Sequence, residues 1–427
     1  MGYTKPTMQV FEITGGKRLA GTIRVSGSKN AATPILAATL LTSESTLLHN
    51  IPRIEDVFRM LEILGSMGVK VTWEAEHSVR ITPGDFDVTK LDQKLVKKLR
   101  SSILLLGSLS AKQGSFLLSH PGGCVIGARP VDTHMDALMK LGAKIETTDE
   151  GYKIDARHCQ AHKVVLRESS VTATENVLML AASMEGTTLI KLAAAEPHVA
   201  DLCQFLITLG ATIEGVGTTT LRVTGSKNLH GSEYTIIPDA NEAATFLILG
   251  AATKSPITVE NAREEHLDAV LEKLKEFGVG FTTTENGITV IPSEKLKAVT
   301  KVDTRVYPGI PTDVQAPFGV LATQAEGETL IHDPLFEGRF NYVQELEKMG
   351  AHAKVLNPHQ VVVNGPTQLR GTRIKSYDLR AGAALIIAAL TSEKTTVIEE
   401  IYQVDRGYER IEERLQQIGA DIKRTEV

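Results

Sequence analysis

The chain has 427 residues, of which 42% are hydrophobic and 23% charged, and its formal net charge is −5. Its pI is about 6.2 and its mean hydropathy −0.03. These values fit a folded chain with room for two or three domains, and they argue against a global pull toward nucleic acid or anionic lipid while leaving room for a local basic cleft.

No apolar run approaches the roughly 18 residues of a membrane span. The opening stretch "MGYTKPTMQVFEITGG" has no apolar region of the kind that marks a secretory signal. Pro6 stands where a myristoylation motif carries Ser or Thr. Cys124, Cys159 and Cys203 cannot all pair and form no CxxC, so a reduced, cytoplasmic setting is expected and zinc-ligand spacing is absent. Neither a nucleic-acid nor a membrane partner is expected.

In chain order, two strands come first, "FEITGG" and "GTIRVSG". An Ala- and Leu-rich helix, "NAATPILAATLL", follows, then a short strand, "STLLHN", and an amphipathic helix, "EDVFRMLEILGSMG", ending at Gly68. The first helix is apolar nearly all round and is predicted to be buried. The second has a charged face and is predicted to lie at the surface. A glycine just past an amphipathic helix is the expected left-handed cap.

The same ending recurs at Gly142, Gly210, Gly278, Gly350 and Gly419, in steps of 74, 68, 68, 72 and 69 residues. The buried helix recurs as "SSILLLGSLSA", "TATENVLMLAASM", "NEAATFLILGAA", "VQAPFGVLATQA" and "RAGAALIIAALT". Regular spacing over the whole chain marks a sixfold β-β-α-β-α repeat. The prediction is an α/β protein of two three-repeat domains with helices inside and sheets around them. One domain spans residues 27–237. The other joins residues 1–26 to 238–427, with the chain crossing near Ser26–Lys29 and again near Ile236–Asp239.

The starts of the six buried helices carry Lys29 and Asn30, Arg100, Ser170 and Val171, Asp239 and Glu242, Asp313, and Asp378 and Arg380. Free N–H groups there favour an anion. Asp, Ser and Asn also serve as ordinary caps, which is an equal reading of Asp313 and Ser170 taken singly. Caps do not explain Lys29, Arg100 and Arg380, because a cation at a helix start opposes the dipole. Three such placements predict a bound anion. In the second repeat the stretch "PGGCVIGARPVD" is an insertion: Leu118 to Gly142 is 24 residues, against 19 to 21 in the other copies. A glycine-rich loop holding Cys124 near Arg129 reads as a lid with a reactive thiol. Cys203, on "DLCQFLITLG", reads as a small buried hydrophobe.

Taken together, "SGSKNAA", "PGGCVIGARPVD", "PTDVQA", "FEGRF" and "DRGYERIE" resemble the UDP-N-acetylglucosamine 1-carboxyvinyltransferase family, in order, from about residue 8 to the end. The resemblance implies the two-domain inside-out α/β barrel of the enolpyruvyl transferases, with the active site in the inter-domain cleft. It implies transfer of the enolpyruvyl group of phosphoenolpyruvate to the 3-hydroxyl of UDP-N-acetylglucosamine, with release of phosphate. That is the first committed step of peptidoglycan precursor synthesis, and no metal or organic cofactor is implied.

By motif, the resemblance implies that Cys124 is the general acid and Asp313 the base. Lys29, Arg129 and Arg406 clamp phosphoenolpyruvate beside Asn30 and Arg380, with Asp378 on the far wall. Arg100 touches the nucleotide sugar. Arg129, Pro130, Val131, Asp132 and Thr133 hold its uracil and diphosphate end with Ser170 and Val171, and the Leu335 backbone reaches the sugar. Transfer to shikimate 3-phosphate, or a non-catalytic paralogue, are the alternatives; the cysteine loop and Asn30 weigh against the first, and the complete acid and base set against the second. Two positions depart from the family pattern: Thr172 replaces a glycine, and Glu168 stands where some relatives carry lysine.

Overall fold

The six glycines explain how each repeat turns. All have φ in the left-handed region, from +85° at Gly278 to +112° at Gly210. The residue after each donates its N–H back to a carbonyl five residues earlier: Val69 to Leu64, Ala143 to Leu138, Ala211 to Leu206, Val279 to Leu274, Ala351 to Leu346 and Ala420 to Leu415, at 3.0–3.3 Å. This is the Schellman closure, and it delivers the chain into the next strand.

A computed structural model describes residues 9–122 and 130–426. Its helices run in pairs, an inner one followed by an outer one. The pairs are α1 (Lys29–Ala38) and α2 (Glu55–Ser66), α3 (Leu105–Lys112) and α4 (Asp132–Lys140), and α5 (Val171–Ser183) and α6 (Pro197–Thr208). They continue with α7 (Ala240–Ala252) and α8 (Asp268–Glu276), α9 (Gln315–Thr323) and α10 (Asn341–Lys348), and α11 (Leu379–Thr391) and α12 (Ile411–Gln417). The α11 helix is buried from Leu379 through Leu390, as an apolar helix must be. The α2 helix buries Val57, Met60, Leu61, Ile63 and Leu64 and turns Glu62 outward.

Among the described residues the chain divides into two compact units, residues 9–25 with 238–426, and residues 26–122 with 130–237. Each holds three sheets, three inner helices and its own hydrophobic core. Five of the six sheets have four strands, one parallel pairing followed by two antiparallel ones, as in Lys301–Asp303, Gly327–His332, Gln360–Gly365 and His352–Asn357. Around α5, α9 and α11 the parallel pair is the strand before the inner helix and the strand after it.

The strand Gln9–Thr14 pairs with Thr395–Glu399 and Asp421–Glu426, and Gly21–Arg24 pairs with Ile257–Glu260. Glu233–Thr235 instead pairs with Thr46–His49. The strand preceding α7 in sequence therefore belongs to the sheet of α1.

The second repeat departs from the β-β-α-β-α expectation. Its sheet has three strands among the described residues. Where the leading strand would lie, Asp92 caps the single-turn helix Gln93–Val96. Gln93 then serves the open edge with its side chain: Nε2 donates to the Leu117 carbonyl at 3.0 Å, and Oε1 accepts from Ser119 N–H at 2.8 Å. An amide can stand in for a strand here because it carries the same donor and acceptor as a peptide unit.

Inner helices pack closely where side chains are small. Gly107 of α3 meets Asn176 of α5, and a Cβ at Gly107 would lie 2.4 Å from the Asn176 carbonyl oxygen. Asn176 Oδ1 accepts from Gly107 N–H at 2.6 Å, and its Nδ2 donates to the carbonyls of Ile103 and Thr172.

Candidate active site

Cys124 and Arg129 lie outside the described residues, so the other expected site residues are located unit by unit.

In the unit of residues 26–237, Ser28 caps α1, accepting from Ala31 N–H, and Lys29 is the first helical residue with Asn30 second. Lys29 Nζ lies 3.4 Å from Oδ2 of Asp56, in the first turn of α2. Arg100 opens a 3-10 turn, Arg100–Leu104, that leads into α3, and burial pulls its guanidinium below its ordinary pKa. Ser170 caps α5 through Ala173 N–H, so this hydroxyl does act as a cap, and Val171 begins the helix.

Pro130 is exposed, and Val131, mostly buried, precedes α4. Asp132 is the first residue of that helix, and Thr133 and His134 turn inward. The two departures from the family pattern both bond to this turn. Thr133 Oγ1 donates to Glu168 Oε1 at 3.1 Å, and His134 Nε2 lies 2.7 Å from Thr172 Oγ1. Burial first, then the nearby Arg100 charge, pulls His134 down to about 4, so its imidazole is neutral at pH 7.

In the other unit, three inner-helix starts meet at one carboxylate. Asp313 sits in the 3-10 turn Thr312–Val314 that leads into α9, and it makes no cap bond. Its Oδ1 accepts from Arg339 Nη1 at 2.7 Å. Its Oδ2 accepts from Arg380 Nε at 3.0 Å, with Arg380 Nη2 at 2.9 Å and Asn241 Nδ2 at 3.4 Å. The capping reading of Asp313 therefore fails, because its oxygens face guanidiniums and not the helix N–H groups.

Asp378 is a true cap: its Oδ1 accepts from Arg380 N–H at 2.8 Å and Ala381 N–H at 2.9 Å. Arg380 is 5% exposed and also donates to the Tyr408 hydroxyl at 3.2 Å, while Tyr408 bonds Thr245. Arg406 follows the single-turn helix Tyr402–Asp405 and reaches Gln403 at 3.3 Å. The Leu335 N–H is donated to buried Asp333 at 3.0 Å, so a backbone contact to a sugar falls to its carbonyl.

Two cations that predicted a bound anion have carboxylate partners inside the protein. Asp56 faces Lys29 and Asp313 faces Arg380. Sequence reasoning also passed over Arg339, Tyr408, Asp56 and His134, and it placed Asn241 at a helix start without giving it a role. Arg339 and Tyr408 stood within the quoted stretches "FEGRF" and "DRGYERIE", but neither lies at a helix start, the one position the repeat alignment compared. No helix among the described residues is long and apolar enough to cross a membrane.

The chain matches the sequence family described as EPSP synthase (3-phosphoshikimate 1-carboxyvinyltransferase) over residues 13–415. Among solved structures, the enolpyruvyl transferase NikO from Streptomyces tendae superposes with a TM-score of 0.89 at 27% identity, covering 99% of this chain and 100% of that one. EPSP synthase from Acinetobacter baumannii shares the fold, at TM-score 0.74 and 20% identity over 98% of this chain and 100% of that one. Six repeats in two three-sheet units, with charged groups at the starts of the inner helices, thus make this chain an enolpyruvyl transferase by class.

A curated relative from Methylacidiphilum infernorum, named UDP-N-acetylglucosamine 1-carboxyvinyltransferase, is 44% identical over 98% of this chain and 99% of its own length. One of the same name from Koribacter versatilis is 43% identical over 98% of this chain and 96% of its own. The chain belongs to the UDP-N-acetylglucosamine 1-carboxyvinyltransferase family, and it is an enzyme.

Proposed function

We propose that this chain transfers the enolpyruvyl group of phosphoenolpyruvate to the 3-hydroxyl of UDP-N-acetylglucosamine, in the cytoplasm, as the first committed step of peptidoglycan precursor synthesis. In the addition step the sugar oxygen bonds to C2 of phosphoenolpyruvate while C3 gains a proton. In the elimination step C3 loses a proton, the C2–O–phosphate bond breaks and phosphate leaves. Both steps need an acid, a base and fixed positive charge around an anion. Cys124 supplies the proton to C3, and Asp313 takes the proton of the sugar hydroxyl. Lys29, Asn30, Arg129, Arg380 and Arg406 hold the phosphate and carboxylate of phosphoenolpyruvate. Arg100, Pro130 to Thr133, Ser170, Val171 and the Leu335 carbonyl hold the nucleotide sugar. Asp378 fixes the start of α11 and so the backbone of Arg380.

The observation that carries this reading is the setting of Asp313. A carboxylate at a helix start that forgoes capping, and whose plane is set by two guanidiniums and an amide, is arranged for a task other than helix stability. Substrate hydroxyls compete for the same oxygens. The test is phosphate release from the purified chain with phosphoenolpyruvate and UDP-N-acetylglucosamine. Release is expected with that acceptor and none with shikimate 3-phosphate. Asp313→Asn should lower kcat by about 100-fold or more, the range of a lost general base. Release with shikimate 3-phosphate alone would overturn the acceptor assignment, and full activity in Asp313→Asn would overturn the base.

A further inference from the structure

Arg424 lies on the strand Asp421–Glu426, and all five of its N–H donors are engaged. Nη1 and Nη2 fork onto Asp405, at 3.0 Å to Oδ2 and 2.7 Å to Oδ1. Nε and Nη2 fork onto Glu412, at 2.6 Å to Oε1 and 3.2 Å to Oε2. The remaining Nη1 donor goes to Gln9 Oε1 at 3.2 Å, and the guanidinium sits over the Phe11 ring, 4.9 Å from its centre. A guanidinium has five N–H groups in a rigid plane, so this one has none to spare for a ligand.

The two carboxylates define its role. Asp405 ends the single-turn helix capped by Arg406, and Glu412 stands in the first turn of α12. One side chain therefore pins both ends of residues 405–412. Between the pins lie Arg406, Gly407, whose added Cβ would meet Leu379 at 2.5 Å, and Tyr408, which bonds Arg380. Arg410 is held at φ +39°, ψ +49°, a left-handed conformation that side chains other than glycine resist. A short segment with that strain at one end needs an external hold, and the Arg424 double fork is placed to give it.

We propose that Arg424 is the positioning residue for Arg406, fixing the direction of that guanidinium through Asp405 without itself touching substrate. The inference rests on the reading of Arg406 as a clamp on phosphoenolpyruvate. Its test is steady-state kinetics on the full chain with Arg424→Ala, Asp405→Asn and Arg406→Lys, singly and combined.

Arg424→Ala and Asp405→Asn should each raise KM for phosphoenolpyruvate about tenfold or more and leave KM for UDP-N-acetylglucosamine within about twofold, a split that general destabilisation does not produce. Arg424→Lys should fall between. In an Arg406→Lys background, Arg424→Ala should add less than about twofold, because both act through one contact. Multiplying effects, or KM values within twofold of the unaltered chain in both Arg424→Ala and Asp405→Asn, overturn the proposal. Should Arg424→Ala fail to fold, Asp405→Asn decides, since it keeps the side-chain volume while removing the charge and one of the two oxygens that accept from Arg424. An Arg406→Lys variant with unchanged KM for phosphoenolpyruvate overturns the reading of Arg406 and this inference with it, separately from any result at Arg424.

Discussion

Two thiols and one carboxyl set the expectations at the scale of single residues. Cys203 is fully buried, and burial pushes its thiol up to about 12. Cys159 is partly buried, and burial followed by the charge of Asp155 pushes it up to about 11. At pH 7 either holds about one part in 10,000 or less as the reactive thiolate. An epoxide that mimics phosphoenolpyruvate should therefore add to Cys124 alone, and faster with UDP-N-acetylglucosamine present. Intact-mass and peptide mapping read the outcome, and label on Cys159 or Cys203 would remove Cys124 from the acid role. Glu175 of α5 makes the second case. It is 1% exposed, and its Oε1 has no hydrogen-bond partner among the described residues. Burial first, then Glu196, raises it well above the ordinary carboxyl range. The folded state thus holds a proton that the unfolded state releases. This position costs no stability below the unfolded value of about 4.3 and costs increasingly more as pH rises above it. Glu175→Gln should raise the thermal midpoint at pH 8, raise it less at pH 5.5 and change it little at pH 4. An equal shift at all three would show that ionisation is not the cause.

At the scale of elements, the helix–glycine–strand ending was legible because it rests on local chemistry: an amphipathic stripe, then a residue free to take positive φ. The inner helices were legible because no surface helix is apolar all round. Gln93 was not, since an amide replacing a strand edge leaves no periodic signal. The pairing of Asp313 with Arg339 was not legible either, because it joins an inner-helix start to the loop before α10, and such partners are set by how repeats pack. The tight approach of α3 to α5 gives a test at this scale. A methyl at Gly107 collides with backbone, which cannot rotate away as a side chain tip can. Gly107→Ala should lower unfolding free energy by about 1–3 kcal/mol despite the better helix propensity of alanine. Urea titration checks this through a lower midpoint at unchanged slope. A neutral or stabilising result would mean that the two helices can move apart freely.

At the scale of the whole molecule, the repeat explains a circular arrangement in which the first strands serve the last sheets. Gln9–Thr14 lies between Thr395–Glu399 and Asp421–Glu426, so its unit cannot close that sheet without it. Gly21–Arg24 likewise supplies the strand beside Ile257–Glu260. The unit of residues 26–122 and 130–237 has two ends that meet: Ser28 N–H donates to the Ile237 carbonyl at 2.8 Å, and Glu233–Thr235 lies on Thr46–His49. A unit with adjoining ends, three sheets and its own core meets the conditions for independent folding. Residues 26–237 expressed alone should therefore unfold cooperatively and give dispersed amide resonances. Residues 238–427 alone should not, because two sheets lack a strand and expose unpaired edges and apolar surface. Joining residues 9–25 ahead of residue 238 through a flexible linker should restore cooperative unfolding to that half. If residues 238–427 fold without them, the N-terminal strands are accessories to the second core and not part of its frame. If neither half folds even with its strands complete, the two cores depend on one another and the repeat is the folding unit only in the intact chain.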